Sequence, residues 1–245
     1  MLIYLGFDLM SEINIDVMTL FPEICQSTMH LGVVGRAIKG KIIDLKFYQI
    51  RDFSQSKHKK VDDSPFGGGN GMVMMAEPIF RAFEHICSVR STRPRLIFMS
   101  PKGRVLTQKI AKNMLENKNI AFLCGRYEAV DERLIEEIVD DQISIGDYVL
   151  TGGELPAMVM IDAMVRMIKG VLASDKCFEE ESFYNGMLEH PQYTRPRVWR
   201  DRNVPEVLLS GNHKEIKKWK LEQNLKSTLK LRPDLKQDSL RAKIF

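Results

Sequence analysis

Residues 119–168 read NIAFLCGRYEAVDERLIEEIVDDQISIGDYVLTGGELPAMVMIDAMVRMI, and this stretch decides the fold. Asn119–Cys124 is an apolar run that stops at Gly125, with the length and composition of a buried strand. Asp131–Val139 spaces its apolar residues as a helix does, Gln142–Leu150 returns to strand, and Leu155–Ile168 is a long methionine-rich apolar helix. Strand and helix in alternation point to an α/β domain with a mostly parallel sheet covered on both faces.

The chain upstream keeps the same rhythm. Ile13–Leu20 reads as a buried strand, with Pro22 at a helix start, and Ile42–Ile50 as a second strand. Asp52–Gly71 is polar and glycine-rich, a long loop. Ala76–Val89 places Ile79, Phe83 and Ile86 on one helical face. Arg95–Met99 is a short strand ending at Ser100-Pro101, and Thr107 caps a helix over Thr107–Leu115. Met1–Met10 is mildly apolar but contains Asp8 and lacks a basic lead or cleavage site, so residues 1–12 read as an extension ahead of the first strand and not as a signal peptide. No run approaches the roughly 18 apolar residues of a membrane span.

Near Val171 the character changes. Ser174–Asn185 has few apolar residues and carries Glu179-Glu180-Glu181, the composition of a linker. The expected organisation is a ligand-binding domain over 1–172, a linker over 173–187 and a basic helical domain over 188–245, with a helix from about His213 to Leu231. From Pro191 onward 14 Lys and Arg face 6 Asp and Glu, whereas the first 190 residues hold 22 basic against 26 acidic. A basic tail on a mildly acidic body suggests a polyanionic partner, although a solvated lysine-rich helix would look the same.

The four cysteines, Cys25, Cys87, Cys124 and Cys177, form no CxxC pair and have no histidine at metal-ligand spacing, which fits free thiols in a reducing cytoplasm and argues against structural zinc. No GxxxxGK[ST] occurs, and no GxGxxG follows a first strand, which disfavours P-loop and Rossmann nucleotide sites. Three glycine-bearing segments instead end strands: Ser100–Gly103, Gly125–Glu128 and Ser144–Pro156. Ligands of open α/β sheets bind outside the carboxyl ends of the strands, so the three could form one pocket. Glycines there let backbone groups approach a flat ligand without a Cβ in the way.

Read in order, VDDSPFGGGNGMVM, FMSPKG, FLCGRYEAVDERLI, SIGDYVLTGGELPAMVMIDAMVR, ESFYNGMLEHPQYTRP and VLLSGNHKEIKKWKLEQ resemble the bacterial tRNA (guanine-N1)-methyltransferases, SPOUT-class enzymes that modify guanosine 37. The resemblance runs from about Ile13 to the last helix. It implies a deep trefoil knot, which periodicity alone does not suggest, and a homodimer with active sites at the subunit interface. It implies S-adenosylmethionine held near Met99, Ser100, Pro101, Gly125, Tyr127, Glu128, Ser144, Ile145, Gly146, Tyr148, Leu150, Gly152, Gly153 and Pro156. The general base would be the acid before Ser-Phe, here Glu181 where the family most often has Asp, and the arginine on the long helix would be Arg166. Glu189 matches a position that contacts the cofactor amine.

By the same likeness Arg195, His213, Lys217, Lys218 and Lys220 would face the tRNA backbone, giving affinity and salt dependence without base choice. The family's Mg²⁺ dependence makes that ion a possible second cofactor. Asp62 and Asp63 would order their loop or face the ion, and two adjacent acids are weak evidence for a metal. Lys57-His58-Lys59-Lys60 would hold phosphates or simply be solvated. Trp199 and Trp219 read as core or interface residues, as do Met158, Met160, Met164 and Met167. The same motifs leave two alternatives: a relative acting on another RNA atom such as a ribose 2′-hydroxyl, and a catalytically inactive RNA-binding protein.

Overall fold

The computed structural model describes residues 13–174 and 176–235. The chain divides into two units, residues 1–173 and 174–245.

The first unit is built on five strands: β1 (Ile13–Thr19), β2 (Ile43–Gln49), β3 (Arg95–Val105), β4 (Asn119–Cys124) and β5 (Asp141–Ser144). Their order is β2-β1-β4-β3-β5, and every pairing is parallel. A parallel sheet must be covered on both faces, and the interior strands are accordingly rich in apolar residues, with Asn14, Asp16 and Thr19 as polar positions in β1. Ile15, Val17, Ile97, Ile120 and Phe122 are fully buried.

Six helices cover the sheet: α1 (Pro22–Met29), α2 (Gly32–Lys39), α3 (Ala76–Arg90), α4 (Gln108–Met114), α5 (Glu132–Ile138) and α6 (Glu154–Val165). Ile79, Phe83 and Ile86 of α3 and Leu134, Ile135 and Ile138 of α5 share one apolar cluster with Met18, Leu96, Phe98, Ala121 and Leu123. Side chains alternate across a strand, so Val17, Ile97 and Phe122 face the other way. α6 packs against α1, α2 and α4. Thr107 caps α4 by accepting the Ile110 N–H at 3.3 Å, and Asp131 caps α5 by accepting that of Arg133 at 3.1 Å.

Four elements differ from the sequence reading. α2 was not foreseen, since Gly32 and Gly35 weaken the helical signal of so short a segment. The loop over 52–71 contains a two-residue strand, Asp62–Asp63, that pairs with Val73–Met74, which in turn pairs with Ala129–Val130. β3 runs to Val105, with a register shift after Met99 that lets Arg104 pair with the same Ile143. Gly103 permits this, because a Cβ there would lie 2.4 Å from the backbone of Gln142 and Ile143. β5 stops at Ser144 instead of Leu150, because the Ser144 hydroxyl donates to the Gly146 carbonyl at 2.9 Å and turns the chain.

In the second unit a single helical turn spans Lys176–Glu179, and a two-stranded ribbon pairs Val198–Trp199 with Arg202–Asn203. The long helix α7 (His213–Leu231) follows, capped by Asn212, whose side chain accepts the Glu215 N–H at 3.3 Å. The Thr228 hydroxyl on α7 accepts the N–H of Leu188 at 2.8 Å. No helix among the described residues is long and apolar enough to cross a membrane.

Candidate active site

The middle of β3, at its register shift, and the carboxyl ends of β4 and β5 converge on a cavity of about 340 Å³, its wall drawn from segments 98–102, 125–135 and 142–156. Of the fourteen residues proposed for the cofactor, thirteen line it: Met99, Ser100, Pro101, Gly125, Tyr127, Glu128, Ser144, Ile145, Tyr148, Leu150, Gly152, Gly153 and Pro156. Gly146 does not line it but shapes its rim. Its φ of 149° suits glycine, and a Cβ there would lie 2.6 Å from the Tyr148 ring. Gly153 donates its N–H to the Gly125 carbonyl at 2.9 Å, and a Cβ on it would come within 2.8 Å of the Cys124 Cα. The 151–153 backbone is thus laid directly on the end of β4.

Tyr127, at φ 61°, accepts a hydrogen bond on its hydroxyl from Arg51 at 3.2 Å. Glu128 is backed by the glycine-rich loop, where a Cβ on Gly71 would meet its side chain at 2.5 Å. The remaining wall, including Phe98, Val130, Ile135, Ile143 and Val149, is largely apolar. These residues and Lys102, Arg126, Glu132, Gln142 and Thr151 were missed. Most lie inside the quoted motifs, so position within a strand-ending motif was the available signal.

Behind the cavity lies a buried polar group that was also missed. Glu154 is 1% exposed, accepts the Thr19 hydroxyl at 2.6 Å and pairs with Arg126 Nε at 3.0 Å. Burial, reinforced by the Glu154 carboxylate, pushes the Cys25 thiol up to about 12, and burial raises Cys124 as well. Neither thiol is a ready nucleophile. All four cysteines are free, with Cys177 exposed.

Arg166 is the half-buried C-cap of α6, its N–H donating to the Asp162 carbonyl at 3.3 Å. Glu181 is in the second unit, half-buried just after the 176–179 turn, its N–H reaching the Phe178 carbonyl at 3.4 Å. Glu189 is exposed and its N–H donates to the Ser182 hydroxyl at 3.0 Å. Arg195, Lys217 and Lys218 are exposed, His213 opens α7, and Lys220 is half-buried on the same helix. Trp199 is 57% exposed within the chain, unlike a core residue, whereas Trp219 is half-buried near the rings of His190 and Tyr193. Lys59 and Lys60 are tied to Asp52 and Asp63 at 2.7 and 2.9 Å. Among the described residues no group of three or more His, Cys, Asp or Glu is placed to hold a metal.

This architecture can be set beside known proteins. The chain is 54% identical over 220 residues to a tRNA (guanine-N(1)-)-methyltransferase of Ruminiclostridium cellulolyticum, covering 90% of this chain and 94% of the other. It is 53% identical to the protein of that name from Clostridioides difficile, covering 91% and 97%, and 51% identical to that from Staphylococcus epidermidis, covering 91% and 90%. Residues 13–238 match the family described as tRNA (Guanine-1)-methyltransferase TrmD. With a family match across nearly all of its length and relatives at half identity, the chain belongs to the tRNA (guanine-1)-methyltransferase family.

Proposed function

We propose that this protein transfers a methyl group from S-adenosylmethionine to N1 of guanosine 37 in tRNA. The observation that carries the reading is the single cavity where thirteen residues from three separate sequence motifs meet. Its lining fits an adenosyl group. Gly125, Gly152 and Gly153, where a Cβ would strike Phe98, Arg126 and the Cys124 backbone, let the 125–128 and 150–153 loops close around one space, and Leu150, Val149 and Pro156 offer apolar surface for the faces of adenine.

Bound there, S-adenosylmethionine would supply a methyl group already activated as a sulfonium. Guanine N1 carries a proton at neutral pH, so a base must accept it as the new bond forms, and Glu181 is assigned that role. Negative charge then grows on O6, and the fixed cation of Arg166 would stabilise it. The pocket loops contribute alignment. Glu181 has one methylene more than the aspartate usual at this position, so its backbone must stand slightly further back to present the same carboxylate.

The reading extends to a cytoplasmic homodimer with shared active sites, a trefoil knot in the first unit, and a basic second unit that holds tRNA. Half-exposed apolar side chains on neighbouring helices support the dimer, Ile24 on α1 with Leu155 and Val159 on α6. The tight stacking of 151–153 on β4 is in keeping with a knot. Glu181→Gln and Arg166→Ala test the roles: methylation should fall about 100- to 10,000-fold while affinity for S-adenosylmethionine stays within about two-fold. Unchanged rates in both variants would reject the assignment.

A further inference from the structure

The loops that form the cavity are tied together from behind by side chains of which one, Glu154, does not line it. Arg126 belongs to the loop after β4. Its Nε lies 3.0 and 3.2 Å from the two Glu154 carboxylate oxygens, its Nη1 donates to the Thr151 carbonyl at 3.2 Å, and its guanidinium sits 4.6 Å from the Phe21 ring centroid. Glu154, the first residue of α6, also accepts the Thr19 hydroxyl at 2.6 Å, and Thr19 is fully buried at the end of β1. The same Thr19 oxygen accepts the Phe21 N–H at 2.9 Å. One carboxylate therefore joins the end of β1, the start of α6 and both cavity loops. Gly152 leaves room for the group, since a Cβ there would lie 2.3 Å from Arg126 Nε and 2.6 Å from Glu154 Oε2.

A buried ion pair is a poor way to gain stability, because apolar residues of similar volume often do as well or better. What it does give is direction: a planar guanidinium held by a carboxylate on one edge can bond a carbonyl on another only in a narrow range of positions. We propose that Glu154 is a positioning residue for the cofactor pocket, acting through Arg126 and Thr151 to fix the spacing between the 125–128 and 150–153 backbone segments. A ligand read mainly by backbone groups is sensitive to that spacing, so a residue that does not touch the ligand sets its affinity.

The inference rests on the reading that the cavity takes S-adenosylmethionine, and the experiment separates the two. Calorimetric titration with S-adenosylmethionine is made on the unsubstituted protein, on Arg126→Met/Glu154→Leu, on Glu154→Gln, and on Thr19→Val with Thr19→Ser, with thermal unfolding measured alongside. The double variant removes both buried charges and should fold with a Tm near that of the parent. Its Kd should rise about 10-fold or more; because Arg126 itself lines the cavity, the Thr19 pair, which does not, shows whether the effect is one of positioning. Glu154→Gln keeps one oxygen to accept from Thr19 and Arg126 but sets an amide N–H against Arg126 Nε, so it should recover part of the affinity. Thr19→Val should weaken binding about three-fold and Thr19→Ser should recover it. If the double variant fails to fold, the Thr19 pair decides alone. Parental affinity in the double variant, or in Thr19→Val, would overturn the proposal. Absence of binding by the unsubstituted protein would overturn the cofactor reading itself and the proposal with it.

Discussion

The interior strand β1 carries one buried polar contact at its middle and another at its carboxyl end, and the two are built differently. At its middle Asp16, with no exposed surface, faces Arg90 from the end of α3. Arg90 Nε and Nη2 reach the two Asp16 oxygens at 2.9 and 2.8 Å, and Nη1 serves Asn14 and Asp44. Burial pushes Asp16 above its ordinary range, opposed by the arginine. At its carboxyl end Thr19 serves Glu154 and, through it, Arg126. The first group fastens a helix to two strands and borders no ligand. The second fastens loops to each other beside a cavity. Two arginine–carboxylate pairs on one sheet thus divide between holding the fold and shaping the site, and changes at each should separate stability from binding.

The largest effect is expected from Arg90→Ala. It leaves Asp16 in the core without its counter-charge, which costs about 3–5 kcal/mol, read by urea denaturation. The folded fraction should still bind S-adenosylmethionine with parental affinity, and a weakened Kd per folded molecule would break the division. Gly153→Ala is the counterpart at the carboxyl end. The new methyl group meets the Cys124 backbone, so the cavity loop must shift, weakening cofactor binding about 10-fold. Stability should fall by about 1 kcal/mol, and a variant with unchanged binding would count against backbone recognition.

How far these regions could be read beforehand depends on the range of the interactions. The alternation of strand and helix was legible because it rests on periodicity within each segment, and the position of Thr107 as a cap was legible because capping is local. The YVL run, Tyr148–Leu150, misled, since apolar residues at strand spacing look the same whether they pair in a sheet or line a cavity, and here Val149 is 81% exposed. Ser100–Val105 misled in the opposite sense, being polar yet paired with β5 beyond the register shift. The two ion pairs were not legible at all. Arg90 lies 74 residues from Asp16, and Arg126 lies 28 from Glu154, so only the folded topology joins them. The cavity residues were found through whole motifs and not through any one glycine.

Smaller effects sharpen the comparison further. Lys217 and Lys218 are exposed on α7 in the second unit. Replacing both with Ala should lower the slope of log K against log salt for tRNA binding by about 1 to 2, leaving cofactor affinity untouched. An unchanged slope would remove these residues from the interface. Beside the Asp16 group, burial and then the Asp16 charge push the Tyr48 phenol on β2 up to about 12. Its folded value is above the unfolded one, so its contribution is complete below about pH 10 and is lost as pH rises towards 12. Tyr48→Phe should flatten the fall in stability over that window, and an identical pH profile would contradict the assignment.

The central claim is tested most directly by methyl transfer from labelled S-adenosylmethionine to unmodified tRNA carrying guanosine at positions 36 and 37, beside a tRNA with adenosine at 37, with nucleoside analysis of the products. The account predicts 1-methylguanosine in the first tRNA only, and its loss in Glu181→Gln. Absence of 1-methylguanosine with the unsubstituted enzyme, or label on another atom or on the adenosine-37 tRNA, would contradict it.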